Sequence, residues 1–252
     1  MDKPPETAGA QSLRRSLQLL RLLAERHEDG IKLTEVMEVS GLERSTAHRL
    51  LSCLAEERFA ERDPATKAYR LGVDAMQLGF ASMRRVPLVD SCRPLMQKLA
   101  RMSGDTVFLV IRQGDYCLCL HREEGHFPVK VFTTDVGGRR LLGLGAGGLA
   151  LMAALSDAEI ERIHERHVDE YAQAGFTRER LRQAVRRTRA AGHADIVDTL
   201  TVGVSGVGCT FAASASTLAA ISFGAISPRL PPARKKELAR LLMAEIARDA
   251  GA

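Results

Sequence analysis

The sequence predicts an α+β protein in two parts, a small helical unit with a charged hairpin and then an antiparallel sheet with helices packed on it. Three observations carry this expectation. Leu33 to Leu54 reads LTEVMEVSGLERSTAHRLLSCL, two short helical patterns interrupted by a glycine. At Thr106 the apolar period changes from helical to extended. From there the order is strands, helices, strands and a closing helix, which is not the strand and helix alternation of a parallel sheet.

Residues 1–10 hold two prolines, a glycine and small polar side chains, and are expected to form a mobile arm. Ser12 is expected to cap a helix with Leu13, Leu17, Leu20 and Ala24 on its buried face, ending at Asp29-Gly30. Next, Thr34 is the expected N-cap of a short helix and Gly41 supplies a tight turn. A second helix from Glu43 carries Ala47, Leu50, Leu51 and Leu54 at helical spacing. Packing that stripe inward leaves Arg44, Ser45, His48 and Arg49 outward, with Thr46 beside them. Arginine, hydroxyls and histidine near the start of an exposed helix suit the major groove, where Arg takes guanine O6 and N7 bidentately. A helical hairpin with a solvated charged face is the plainer alternative.

Residues 58–62 and 68–72 flank the turn Asp63-Pro64-Ala65-Thr66-Lys67, so two short strands form a wing. Arg62, Lys67 and Arg70 are its candidate phosphate contacts, or simply solvated side chains. The winged helix-turn-helix then spans residues 11–72. Val73, Met76, Leu78 and Phe80 mark a linker helix, residues 73–87, that breaks at Arg84-Arg85-Val86-Pro87.

Residues 88–252 carry the second part. A helix is expected from Pro94 to Met102, then a three-stranded meander of Thr106–Ile111, Tyr116–His121 and Val129–Thr133. Gly145 to Leu155 is a small-residue helix, and Ser156 and Thr177 each open a further one. Strands resume near His193–Val197, Val207–Phe211 and Ala219–Phe223, and an amphipathic helix runs from Pro232 to Arg248.

A net charge of +5 is only mildly suggestive of an acidic partner, and residues 1–85 are nearly charge-balanced, so local arrangement must carry any contact with nucleic acid. The five cysteines are odd in number and widely spread, with no leader-like segment and no apolar run long enough to cross a bilayer. These features point to a reduced, cytoplasmic protein with no membrane partner.

The whole chain resembles the IclR family of bacterial transcription regulators. The resemblance rests on GLERSTAHRLLSCLAEERF, on YRLG at Tyr69 to Gly72, on RRLLGLGAGGLALMAAL from Arg139 to Leu155, and on GVSGVGC followed by LAAISFGAISPRL. It implies an N-terminal winged helix-turn-helix, a linker helix, and a C-terminal effector-binding domain with a GAF-like fold. It also implies a homodimer, or a dimer of dimers, on double-stranded operator DNA, with a small carboxylate or aromatic catabolite as effector. Ala146, Gly147 and Gly148 match the family's small-residue run at a helix start, where backbone amides can cradle an anion. Ser222 matches a hydroxyl on the family's late strand. The chain departs from the family pattern at Leu141-Leu142-Gly143, and at Ile196, Gly206 and Gly224, where sensors of small acids carry polar groups. Those departures favour a larger, more apolar ligand, or polar contacts from Asp195, Asp198 or Cys209.

Other signals are weaker. Gly143 to Gly148 formally matches G-x-G-x-x-G, but no βαβ unit or acid-ending strand accompanies it. His164 and His167 lack a third metal ligand, and Cys117 and Cys119 alternate with leucines as core residues do. Ser205 lacks the second glycine of a nucleophile elbow, and the arginines from Arg178 to Arg189 read as a solvated face. Neither catalysis, metal nor cofactor is expected. The two functions left open are a ligand-responsive regulator of transcription and a small-molecule-binding or catalytic domain fused to a helical module without a DNA role.

Overall fold

The computed structural model describes residues 9–83, 86–199, 201–214 and 217–249. Most of the expected arm, and Arg84 and Arg85 at the expected linker break, lie outside the described residues. The chain divides into two compact units, residues 1–86 and 87–252.

The first unit contains α1 (Gln11–Glu25), α2 (Leu33–Ser40), α3 (Arg44–Glu56), the hairpin β1 (Ala60–Arg62) and β2 (Tyr69–Leu71), and α4 (Val73–Met83). Leu19, Leu22 and Leu23 of α1 meet Val36 of α2 and Ala47, Leu50, Leu51 and Leu54 of α3 in one apolar core. The α3 stripe is therefore the expected one, but the α1 stripe is rotated. Leu13 is 61% exposed and Leu17 41%, and the helix begins after Ala10 without a side-chain cap from Ser12. A leucine-rich helix offers more than one helical stripe, and tertiary packing selects among them. For α2 the N-cap is Lys32, whose N–H donates to Glu35 Oε2 at 2.9 Å, and Thr34 sits inside the first turn. Gly41 adopts φ +66°, the left-handed conformation that ends α2 and turns the chain toward α3. Ile31 exchanges backbone hydrogen bonds with Tyr69 and so ties the wing to the start of α2.

The second unit is built on a six-stranded sheet in the order β5-β4-β3-β8-β7-β6, every neighbouring pair antiparallel. Its strands are β3 (Thr106–Gln113), β4 (Tyr116–Glu123), β5 (Arg139–Leu141), β6 (Ala194–Val197), β7 (Val204–Ala212) and β8 (Leu218–Ile226). The meander is corrected at its third member. Residues 129–133 form no strand, and β5 pairs with β4 instead. The apolar alternation of Val129 to Thr133 imitates a strand, but Val129 and Phe132 stay exposed, so no packing stabilises one there.

Two helices lie on one face of the sheet, α5 (Pro87–Ser103) against β3 and β4 and α10 (Pro232–Asp249) against β7. The first of these begins seven residues before the expected start, and Pro94 falls on its exposed side. On the other face α6 (Ala146–Ala153) crosses β3, β4, β6, β7 and β8, and α9 (Arg178–Ala191) packs on α6 and β6. Between them α7 (Asp157–Arg166) and α8 (Val168–Gln173) close the core around Ile160, Ile163 and Tyr171. Ser156 and Thr177 do cap α7 and α9, each accepting a hydrogen bond from the amide three residues on. Where β3 begins, Asp105 is almost wholly buried and paired with Arg229 and Arg234, which ties the strand to the segment around α10.

Candidate nucleic-acid interface and ligand cavity

In the first unit, Glu43 is extended and Arg44 is the first residue of α3. The four buried residues of that helix fix its rotation, so Arg44, Ser45, His48 and Arg49 are exposed and Thr46 is half-buried. Neither Arg44 nor Arg49 takes part in an ion pair or side-chain hydrogen bond among the described residues, so both guanidinium groups are available to an anionic partner. The wing residues differ from one another. Arg62 lies over the Tyr69 ring at 5.5 Å and remains exposed, while Lys67 Nζ donates to Pro64 O at 2.6 Å at the hairpin tip. Arg70 is largely committed inside the fold: its Nη2 donates to Asp29 O at 3.0 Å and its Nη1 lies 3.8 Å from Asp63.

In the second unit, a cavity of about 60 Å³ opens between the start of α6 and the sheet. That is the space of roughly four to six waters, which suits a compact ligand better than the larger one suggested by the missing anchors. Its floor is the face of β3, β8 and β7 bearing Phe108, Val110, Ser222 and Gly206. Across it lie Ala146, Gly147 and Gly148, whose amides precede the first intrahelical bond, that from Leu149 N to Gly145 O. Glycines let α6 approach this closely. A Cβ on Gly208 would lie 2.9 Å from the Ala146 carbonyl, and one on Gly147 would lie 2.7 Å from Val110 Cγ2. Ser222 is 6% exposed, and its hydroxyl has no hydrogen-bond partner among the described residues.

Four of the expected ligand residues, Ala146, Gly147, Gly148 and Ser222, therefore come together. Three do not line this cavity. Asp195 pairs with Lys235 Nζ of α10 at 2.7 Å on the opposite face of the sheet. Cys209, in register with Ile221, also points to that face, and burial pushes its thiol up to about 12. Asp198 adopts φ +47° and accepts from Gly203 N at 2.8 Å and from Ser227 Oγ at 3.0 Å, which closes the turn after β6. Side chains alternate along a strand, so Ile196 faces the cavity and Asp195 cannot.

The walls include residues not expected from sequence: Phe108, Val110, Thr133, Arg140, Thr199 and Thr201. A Cβ on Gly224 would lie 3.0 Å from the Phe108 ring, so the glycine makes room for an aromatic wall. Arg140 and Arg139 are indistinguishable in sequence. Strand register separates them, Arg139 lying over the Tyr116 ring at 4.4 Å while Arg140 lines the cavity.

Cys117 and Cys119 also line the cavity, and burial pushes both thiols up to about 11, so they are protonated apolar walls. His164 stacks on Tyr171 and His167 Nε2 bonds Asp115 Oδ2 at 2.9 Å, which gives both histidines structural partners. Among the described residues no group of three or more His, Cys, Asp or Glu could hold a metal, and no helix is long and apolar enough to cross a membrane.

Residues 12–64 match the IclR helix-turn-helix domain, and residues 80–250 match the bacterial transcriptional regulator IclR C-terminal domain. The chain belongs to the IclR family. It is 35% identical to the HTH-type transcriptional regulator BhcR of Paracoccus denitrificans over 63% of this chain and 56% of that protein. The match to the transcriptional repressor IclR of Escherichia coli is 25% identical and covers 95% of this chain and 88% of the repressor. Its fold is also that of an IclR family transcriptional regulator from Brucella abortus, with a TM-score of 0.83, 20% identity, and coverage of 99% and 96% of the two chains.

Proposed function

We propose that the protein is a ligand-responsive, DNA-binding transcription regulator. In this reading residues 11–72 bind double-stranded operator DNA, residues 73–87 link, and residues 88–252 receive a small organic effector. The observation that carries it is the face of α3, where a buried stripe holds the helix in place and turns two unpartnered arginines and a histidine outward. Arg62 and Lys67 on the wing join that surface, whereas Arg70 serves the fold. Family membership supports the same reading over a catalytic domain with an unrelated helical module.

The proposed working form is a homodimer, alone or paired into a dimer of dimers. In the first unit, Leu13 and Leu17 of α1 and Val73, Met76, Leu78 and Phe80 of α4 are exposed apolar side chains of a kind that a second copy would bury. Two copies would present two α3 helices to paired half-sites, and effector occupancy would change their relative placement and so the fit.

The test is selection of bound DNA from a random pool, followed by titration of the selected operator. Arg44→Ala is expected to weaken specific binding by about 1–3 kcal/mol at fixed salt while leaving the melting profile unchanged. Equal binding by variant and parent would mean that α3 does not enter the groove.

A further inference from the structure

Arg140 sits on β5 with its side chain in the ligand cavity, where the guanidinium donates to the Thr133 carbonyl. No carboxylate lies within ion-pair distance of it among the described residues. Its nearest ionisable neighbours are the protonated thiols of Cys117 and Cys119, and burial pulls its pKa below the usual arginine value. A desolvated cation without a counter-charge is unfavourable, and an arginine stays charged all the same. The group thus lacks an anion.

The position of the guanidinium says where that anion would sit. Gly145, the N-cap of α6, has φ +147°, and a Cβ there would lie 3.6 Å from Arg140 Cδ and Nη1. Arg140 therefore flanks the start of α6, where the amides of Ala146, Gly147 and Gly148 and the helix dipole also favour negative charge. Ser222 supplies an independent sign of a ligand, a hydroxyl more than nine-tenths buried, without a partner, against the same glycines. Phe108, Val110 and Ile196 supply the apolar part of the wall, beside the hydroxyls of Thr133, Thr199 and Thr201.

The family resemblance implies a small acid at the start of α6; we propose that in this chain Arg140 is the residue that anchors its charge, holding the carboxylate of a compact acid between the guanidinium fork and the first turn of α6. The proposal rests on the reading of this cavity as the effector site. The fork geometry suits the two oxygens of a carboxylate, and the small volume leaves room for only a few further heavy atoms. Arg140 is thus the residue that separates acids from neutral molecules of the same shape.

The experiment uses the full chain. Acetate, propionate, butyrate and benzoate, each beside its amide, are titrated by calorimetry and thermal shift into the parent, Arg140→Gln and Arg140→Lys, with inorganic phosphate and sulfate as further probes. At least one carboxylate is expected to bind the parent about ten- to hundredfold more tightly than Arg140→Gln, as charge-assisted hydrogen bonds require. Its amide should fail to bind, and Arg140→Lys should recover part of the affinity. An amide equal to its acid, a panel that does not distinguish the parent from Arg140→Gln, or phosphate or sulfate bound more tightly than every carboxylate overturns the proposal. Melting curves without ligand show whether each variant is folded, and loss of folding in Arg140→Gln is met by reading Arg140→Lys against the amides. Operator binding measured in parallel separates the two readings. A carboxylate held through Arg140 without effect on DNA affinity leaves the anion site standing and removes its effector role, whereas a DNA response that persists in Arg140→Gln removes the anchor alone.

Discussion

Gly147→Leu is expected to abolish the response of operator binding to effector. A Cβ at this position already meets Val110 Cγ2 at 2.7 Å and Ser222 Oγ at 3.3 Å, so the remaining atoms of a leucine must occupy the cavity or lift α6 from the sheet. Either outcome removes the close approach between ligand and backbone amides that glycine permits. Overpacking of this kind costs about 1–3 kcal/mol of stability, so melting of the second unit should shift down without loss of cooperativity. Binding to operator without ligand should change little, because α3 is seated by a core in the other unit. The measurement is an anisotropy titration of operator with and without the carboxylate identified by calorimetry. A well-folded Gly147→Leu protein with the parent's response would place the effector elsewhere and leave the glycine run a packing role.

Leu51→Ala is expected to cost about 2–5 kcal/mol in the first unit and, with it, specific DNA binding. Leu51 is fully buried in the core that includes Leu19, Leu23, Val36 and Ala47, while Arg44, His48 and Arg49 of α3 are exposed. The variant keeps every exposed arginine, so any loss of operator binding reports the seating of the helix and not its chemistry. Denaturation followed by a probe in each unit should show the first transition moving to lower denaturant and the second staying in place. Unaltered operator affinity together with an unshifted first transition would mean that the α1 to α3 core does not hold the recognition surface.

Local signals strong enough to stand alone were legible from the chain. The α3 stripe, the left-handed Gly41, the caps Ser156 and Thr177, and the antiparallel order of the second half depend on neighbours a few residues away, and each is found where the spacing puts it. Features that depend on distant partners are not legible in this way. Leu13 and Leu17 fall on one of several apolar stripes that a leucine-rich α1 offers, and only the partner helices choose among them. Residues 129–133 have strand-like alternation without a strand to pair with. In the cavity, Ala146 to Gly148 and Ser222 are legible from the family pattern, but Asp195, Asp198 and Cys209 are near the lining residues only in sequence. Register decides those positions, since one step along β6 or β7 moves a side chain to the other face. The same rule hid Arg140 beside Arg139.

The alternation along β3 has a mechanical consequence. Phe108 and Val110 border the cavity, while Val107 and Leu109, fully buried, face the side of the sheet where α5 lies. The first residue of α5, Pro87, is also the first residue of the second unit. One strand is therefore the whole partition between the cavity on one side and α5 on the other. Close-packed interiors yield little to compression, so under the proposed function a displacement of β3 from the cavity side would be handed to α5 with no intervening layer to absorb it.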